Sequence, residues 1–305
     1  MTNKEINDKG SLNSIWTDSI ANNKQPDGKA LLAHLQTMHR NYTGFTEKCA
    51  RACRDQNGLN SYEWLAEIVP DIDGTRVLDL ACGSGPLLKI LYERNKNFIL
   101  TGVDVSPEEL ALARARMINK TANFHELKAQ NLSVINDNSL DVVLCHWALT
   151  LMDPITPVLE EVRRVLCSGG QFAALIDGPI NTAQGYSDVH DLIYKYVQAK
   201  LPNYGEIDLG DPRIRITDTL NNLVRETFPQ ATLNIETNVV SMEGPITEVT
   251  KTVAGFFYAS YVLPLEVHKT MLAKLAKLLV ISKQKGELEN QGRFAMPISR
   301  LVIKN

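Results

Sequence analysis

Apolar residues first recur at helical spacing after a polar N-terminal stretch. The residues that set this spacing are Leu31, Leu32, Leu35 and Met38. They predict a helix that begins near residue 30 and is interrupted by the turn-forming residues 41–44. A second helical pattern over residues 60–69 ends at Pro70. Residues 1–29 show little periodicity, so we expect a flexible arm there.

Short apolar runs then alternate with amphipathic helices. Strands are predicted at residues 76–80, 98–103, 123–127, 140–145 and 170–176, and helices at 87–95, 107–118 and 155–166. Strands that alternate with helices are typical of a parallel sheet with helices on both faces. We therefore predict a doubly wound α/β fold for this part of the chain.

The alternation breaks after residue 177. Residues 181–222 combine aromatic residues with turn signals, which indicates an insertion. Later strands are predicted at 231–240 and 293–303, with helices at 246–258 and 264–280. We expect these strands to complete the sheet, the last one antiparallel. The predicted division is an arm (1–29), an N-terminal helical cap (30–70), an α/β core (71–180), a lid insertion (181–225) and a C-terminal part of the core (226–305).

Composition narrows the class of protein. The 305 residues carry a formal net charge of -3, and no basic stripe of the kind that tracks phosphates is present, so we expect no nucleic-acid partner. The polar N-terminus lacks the apolar segment of a signal peptide, which predicts a cytoplasmic protein without a membrane span. The five cysteines show no paired spacing, so neither a disulfide framework nor a zinc site at Cys49 and Cys53 is expected.

The turn after the first strand contains Gly83 and Gly85. Glycine permits left-handed backbone angles and lets a ligand approach the backbone closely. Asp104 ends the next strand, where a carboxylate can accept hydrogen bonds from both hydroxyls of a ribose. The glycines alone would suit any tight turn, but together with the acid they favour a nucleoside site. A dinucleotide is less favoured, because Leu88 stands where its fingerprint requires a third small residue.

Four segments resemble, in the right order, the signature motifs of class I S-adenosylmethionine (SAM)-dependent methyltransferases. They are LDLACGSG at 78–85, GVDVS at 102–106, DNSLDVV at 137–143 and VLCSGG at 165–170. The resemblance is close over residues 74–177 and loose for the C-terminal strands. It implies a Rossmann-like, mostly parallel sheet, SAM as the cofactor, and a small-molecule substrate.

The same resemblance implies a set of cofactor-binding residues: Tyr42, Asp79, Ala81, Cys82, Gly83, Gly85, Asp104, Val105, Gln130, Asn131, Leu132 and Cys145. Asp79 would lie near the methionine amino group, and Asp104 would bind the ribose diol. The backbones of the glycine loop and of Cys145 would line the methionine. Tyr42, with Phe45, is expected either to fold over the cofactor or to pack between helices.

The adenine end departs from the family pattern. Lys128 stands where the family commonly has an aspartate that accepts from the adenine amine, so Gln130 is expected to replace it. Val105 would pack on one face of the adenine and Leu132 on the other, with Asn131 beside them.

The methyl acceptor is expected near the end of the fourth strand, the edge at which open α/β sheets bind ligands. His146 is the candidate catalytic residue, because an imidazole with a pKa near 6.5 suits removal of a proton from a nucleophile. The alternative is a histidine that only packs beside the cofactor. Trp147 is expected to form a wall of the substrate pocket.

The insertion supplies three more candidates for substrate binding, Tyr186, His190 and Tyr194. Aromatic and imidazole side chains suit an apolar, partly aromatic substrate. They would equally suit the internal core of the insertion.

The function predicted is direct displacement of the methyl group of SAM by a nucleophilic atom of a small metabolite. The sulfonium carbon is already activated, so no metal is expected, although Asp153 and Asp177 near the expected pocket keep that question open. The alternative is a SAM-binding protein that does not methylate, such as a regulatory subunit or a cyclase. A nucleic-acid base methyltransferase is less favoured, because Cys145-His146-Trp147 replaces its signature after the fourth strand.

Overall fold

The computed structural model describes residues 12–206, 209–281 and 290–305. Its strands are β1 Arg76–Leu80, β2 Ile99–Asp104, β3 Asn123–Glu126, β4 Leu140–His146, β5 Leu166–Asp177, β6 Thr232–Pro245 and β7 Gln291–Lys304. They form one sheet in the order β3-β2-β1-β4-β5-β7-β6. Strands β1 to β5 pair in parallel, and β7 runs antiparallel to β5. The predicted α/β fold with an antiparallel last strand is confirmed.

Helices precede, connect and follow these strands. Within the described residues they are α1 Ile15–Ala21, α2 Gly28–Asn41, α3 Glu47–Ala52, α4 Ser61–Ala66, α5 Pro86–Arg94, α6 Pro107–Arg116, α7 Thr156–Val165, α8 Tyr186–Gln198, α9 Thr217–Thr227, α10 Ile246–Phe256 and α11 Leu265–Leu279. None of them is long and apolar enough to cross a membrane.

Local signals explain where the helices next to the glycine loop begin. Gly85 precedes α5 in a left-handed conformation, and Pro86 occupies the first helical position. The Oγ of Ser106 accepts a hydrogen bond from the N–H of Glu109 at 3.2 Å, which caps α6. Both helices thus begin within a few residues of the carboxyl end of a strand.

Two helices differ from the sequence-based expectation. Residues 12–29, expected as part of a flexible arm, contain α1, which is capped by Ser14 and buries Trp16 and Ile20. The insertion contains α8, whose buried residues recur at helical spacing (Tyr186, Val189, Ile193 and Val197). Residues 1–11 of the expected arm lie outside the described residues.

The chain divides into two compact units. Within the described residues, the α/β unit comprises 61–177, 209–237 and 298–305, and the second unit comprises 12–60, 178–206, 238–281 and 290–297. The chain passes from one unit to the other within β6 and within β7. The predicted boundaries of a cap and a lid stay predictions.

The core of the α/β unit lies between the sheet and its helices. Helix α7 buries Val158, Leu159, Val162 and Val165 against the inner residues of the strands. Burial of such side chains stabilises the unit by about 2 kcal/mol each. The register places Asp79 of β1 opposite Gly102 of β2, so the ends of these two neighbouring strands meet at one edge of the sheet.

Candidate active site

The loop between β1 and α5 is a tight turn with three left-handed residues. The φ angles are 58° at Ala81, 51° at Gly83 and 76° at Gly85. The N–H of Cys82 donates to the carbonyl of Val103 at 2.9 Å, which fixes the loop against the end of β2. The backbone of this loop therefore lies beside Asp104, as the sequence analysis required.

Asp104 is held by two backbone groups. Its Oδ2 accepts from the N–H of Gly83, and its Oδ1 accepts from the N–H of Ser106, each at 2.8 Å. A carboxylate oxygen can accept more than one hydrogen bond, so the two backbone contacts do not by themselves prevent Asp104 from accepting from ligand hydroxyls. The side chain is thus oriented by the protein before any ligand arrives.

Asp79 lies buried on β1, the strand next to that of Asp104. Its Oδ1 has no hydrogen-bond partner among the described residues. Burial, together with the charge of Asp104, raises the pKa of Asp79 well above its usual range. A buried oxygen without a partner is costly, and a cationic donor would relieve that cost.

The surroundings of Cys82 show that the loop is acidic. Burial raises the pKa of its thiol, and the charges of Asp79, Asp104 and Glu109 raise it further. Three carboxyl groups beside one loop favour a ligand that carries positive charge.

The two glycines of the loop have different neighbours. A Cβ on Gly85 would lie 3.1 Å from the Cβ of Ala113 in α6, which is tighter than normal packing. A Cβ on Gly83 would approach only the Oε2 of Glu109, at 3.9 Å. Gly85 is therefore required by helix packing, whereas Gly83 leaves its side of the loop open.

The segment after β3 only partly matches the expected adenine site. Gln130 is half-buried, and its Nε2 donates weakly to the carbonyl of Pro154 at 3.4 Å. Asn131 is exposed, and its Oδ1 accepts from the N–H of Ser133 at 3.1 Å. The side chain of Leu132 is fully buried in the core and its N–H donates to Glu161, so its contact with the adenine stays a prediction. Val105, the residue that directly follows β2, is half-buried.

The end of β4 carries an ordered group of polar and aromatic residues. The Oγ of Ser61 and the Nε2 of His146 are 2.9 Å apart. The ring of Tyr62 stacks on His146 with centroids 3.7 Å apart, and Trp147 meets it edge-on at 5.1 Å. Ser61 and Tyr62 were missed by the sequence analysis. Their position at the start of α4 suggested only an ordinary helix.

The environment of His146 does not support a base with an ordinary pKa. Burial lowers the pKa of His146 to about 3, and a hydrogen bond to its own backbone opposes this only in part. The ring is therefore neutral at physiological pH, and its Nε2 is already paired with Ser61. This arrangement favours a hydrogen-bonding and packing role over proton abstraction.

Two predicted cofactor residues are buried thiols. Cys145 is fully buried on β4, and burial, with a contribution from Asp79, raises its pKa to about 12. Cys82 is buried too, and its sulfur packs against Gly102 of β2, where a Cβ would lie only 2.9 Å from it. Both side chains therefore pack, and only their backbones are candidates for ligand contact.

Tyr42 lies in the second unit within an aromatic cluster. Its ring lies 4.6 Å from that of Tyr261, and Phe45 packs against Tyr258 and Tyr261. Helix packing, one of the two expected roles, thus accounts for the surroundings of Tyr42 within this unit.

The three candidates from the insertion also lie in the second unit, on α8. Tyr186 is buried next to Phe257 and Phe294, with ring centroids about 6 Å apart. His190 stacks on Tyr194 at 4.0 Å, and both are half-buried. They have the contacts of an internal core, and their role in substrate binding stays a prediction.

The residues of the α/β unit fit SAM. Asp104 suits the ribose hydroxyls, Asp79 suits the ammonium group, and the open side of Gly83 allows close approach of the ligand. No group of three or more histidine, cysteine, aspartate or glutamate side chains within the described ranges is arranged to hold a metal ion.

Comparison with known sequences agrees with this geometry. Residues 78–174 match the family described as "Methyltransferase domain". The demethylmenaquinone methyltransferase of Thermotoga maritima is 28% identical over 147 residues, which cover 48% of this chain and 62% of that protein. The chain thus aligns with less than two thirds of this relative.

Solved structures share the fold. The YcgJ protein from Bacillus subtilis superposes with a TM-score of 0.54 at 13% identity, covering 80% of this chain and 97% of that one. The [4+2]-cyclase SpnF superposes with a TM-score of 0.53 at 14% identity, covering 92% and 97%. At such identities the likeness concerns the fold alone. The matched family model and the shared fold agree with the resemblance of residues 78–174 to class I SAM-dependent methyltransferases.

Proposed function

We propose that the protein binds SAM and transfers its methyl group to a small organic molecule. The observation that carries this proposal is the Asp104 carboxylate, fixed by the N–H groups of Gly83 and Ser106 beside a glycine loop with one open side. That arrangement provides acceptors for a ribose and a backbone surface for the rest of a nucleoside.

Each group of this site has a proposed role in binding. Asp104 accepts from the two ribose hydroxyls, and Asp79 accepts from the ammonium group of the methionine. The backbone of Ala81, Gly83 and Gly85 lines the ligand between them. Val105 packs on the adenine, and Gln130 contacts its amine.

Once bound, SAM supplies a methyl carbon on a sulfonium, which a nucleophile can attack directly. The protein then has to hold the acceptor in line and exclude water. We assign these tasks to His146, Tyr62 and Trp147, because their rings pack against one another at the end of β4. The cytoplasmic location and the lack of a nucleic-acid partner stay predictions from the sequence.

The first acceptor to test is demethylmenaquinone, in its oxidised and reduced forms, because the matched relatives carry that name. Aromatic side chains near the proposed transfer site suit a flat, partly apolar ring. A wider set of phenols, amines and carboxylic acids would follow.

Calorimetry and product analysis test the proposal together. We expect SAM and S-adenosylhomocysteine to bind, and S-adenosylhomocysteine to accumulate only when a suitable acceptor is present. Binding without product over the whole acceptor set would favour the non-methylating alternative, a regulatory subunit or a cyclase. Failure of both nucleosides to bind at millimolar concentration would rule out the proposal.

Binding of SAM should also release a proton. Asp79 holds its proton to a higher pH than an ordinary carboxyl group, because burial and Asp104 raise its pKa. An ammonium group favours the ionised form, so affinity should rise with pH until Asp79 is ionised in the free protein. Calorimetry between about pH 5 and 8, in buffers of different ionisation enthalpy, measures this release.

Two variants make the proton measurement specific. Asp79→Asn should remove the proton release and weaken binding, whereas Asp73→Asn, in the exposed turn before β1, should change neither. An affinity that falls as pH rises would contradict the assignment of Asp79 to the ammonium group.

A further inference from the structure

Ser61 has no part in cofactor binding as assigned above, yet it is fully buried and contacts the proposed acceptor side. It is the first residue of α4, and its hydroxyl pairs with the Nε2 of His146 at 2.9 Å. The two residues are 85 positions apart in the chain. The contact is therefore produced by the tertiary fold.

The hydrogen bond links the protonation of the ring to Ser61. A neutral imidazole carries its proton on one of its two nitrogens, and a serine hydroxyl can either donate or accept. The 2.9 Å contact at Nε2 therefore couples the position of the ring proton to the orientation of the Ser61 hydroxyl.

The ring is also held from other sides. Tyr62, the next residue on α4, stacks almost parallel to the imidazole, with an interplanar angle of 16°. Trp147 meets the ring at 80°, and its backbone has a φ of 54°, a left-handed conformation that is strained for a bulky residue. Strained backbone of this kind tends to occur at functional sites.

We propose that Ser61 is a positioning residue: its hydroxyl holds His146 in one tautomer and against Tyr62, so that the ring forms a wall for the methyl acceptor. This inference rests on the proposed function, because it assumes an acceptor at the end of β4. It differs from the base mechanism, in which Nε2 would have to be available to the acceptor.

The structural half of the proposal is tested by nitrogen NMR of His146, with SAM absent. The wild-type protein should show a single tautomer. Ser61→Ala should mix the tautomers, whereas Ser61→Thr, which keeps a hydroxyl, should restore the single form. A matched control is Ser139→Ala, which removes a hydroxyl just before the opposite end of β4 and should change nothing. Unchanged spectra in Ser61→Ala would overturn the proposal.

The effect of Ser61 on the methyl acceptor is tested by enzyme kinetics with the acceptor that product analysis identifies. Ser61→Ala should raise the KM for that acceptor about tenfold, as expected for the loss of one buried hydrogen bond, with SAM affinity unchanged. The pH profile of kcat should lack an inflection near the ordinary histidine pKa. An inflection in the wild type that disappears in His146→Gln would instead identify a base and overturn the proposal. If SAM does not bind, the proposed function is wrong. The NMR experiment, which needs no SAM, still decides whether Ser61 fixes the tautomer of His146.

Discussion

Asp104→Asn should retain the fold and lose at least about a hundredfold in affinity for SAM. The carboxylate accepts from the N–H of Gly83 and the N–H of Ser106. An amide of the same shape brings an NH2 group that would face one of these donors. The substitution therefore removes a charge-assisted acceptor for the ribose and also disturbs the glycine loop.

The measurement is calorimetry with S-adenosylhomocysteine, with far-ultraviolet circular dichroism to verify the fold. Glu126→Gln is a matched control, because Glu126 is the register partner of Asp104 on β3 and is exposed. The control should bind like the wild type. Equal affinity in Asp104→Asn would remove the ribose assignment.

Alanine at Gly83 and at Gly85 should produce two different defects. Both positions have left-handed φ angles, so each variant carries a backbone strain of about 1–2 kcal/mol. At Gly85 the new Cβ also meets α6 at Ala113, which should bring the loss in the free energy of unfolding to about 3 kcal/mol or more. At Gly83 the Cβ projects to the open side, so we expect the larger effect on SAM binding.

Urea unfolding and calorimetry separate the two defects. Gly74→Ala is the control for strain alone, because Gly74 has a φ of 80° and no atom within 4 Å of the position of a Cβ. Gly83→Ala should resemble this control in stability and lose about tenfold or more in affinity. If Gly83→Ala bound SAM normally, the ligand would not approach the loop from that side.

The strands of the α/β unit could be predicted because each is a short apolar run between clear helix signals. The helix α1 was missed, because Trp16 and Ile20, although four positions apart, are too few apolar residues in a polar stretch to set a clear pattern. The helix α8 has a regular apolar spacing, but its aromatic residues suggested a substrate lid instead.

The proximity of the glycine loop to Asp104 could be predicted from the sequence, because the two lie close together in the chain. The glycine loop and Asp104 are about 20 residues apart and end neighbouring strands, so topology alone brings them together. The surroundings of His146 could not be predicted from the sequence. The pairing of Ser61 with His146 requires α4 to lie over the end of β4, and burial then removes the basicity on which the predicted role of His146 depended.

The thiols of Cys82 and Cys145 have a practical consequence for handling the protein. The thiolate is the form that reacts with alkylating agents and oxidants, and burial with nearby carboxylates keeps both groups protonated. Cys49 and Cys53 are buried as well, which leaves Cys167 as the accessible sulfur. Burial and the neighbouring Asp141 raise the pKa of Cys167 as well, so a maleimide dye should label it selectively but slowly. Cys167 lies at the start of β5, at the opposite end of the strands from the glycine loop, so the dye would report on binding without blocking it.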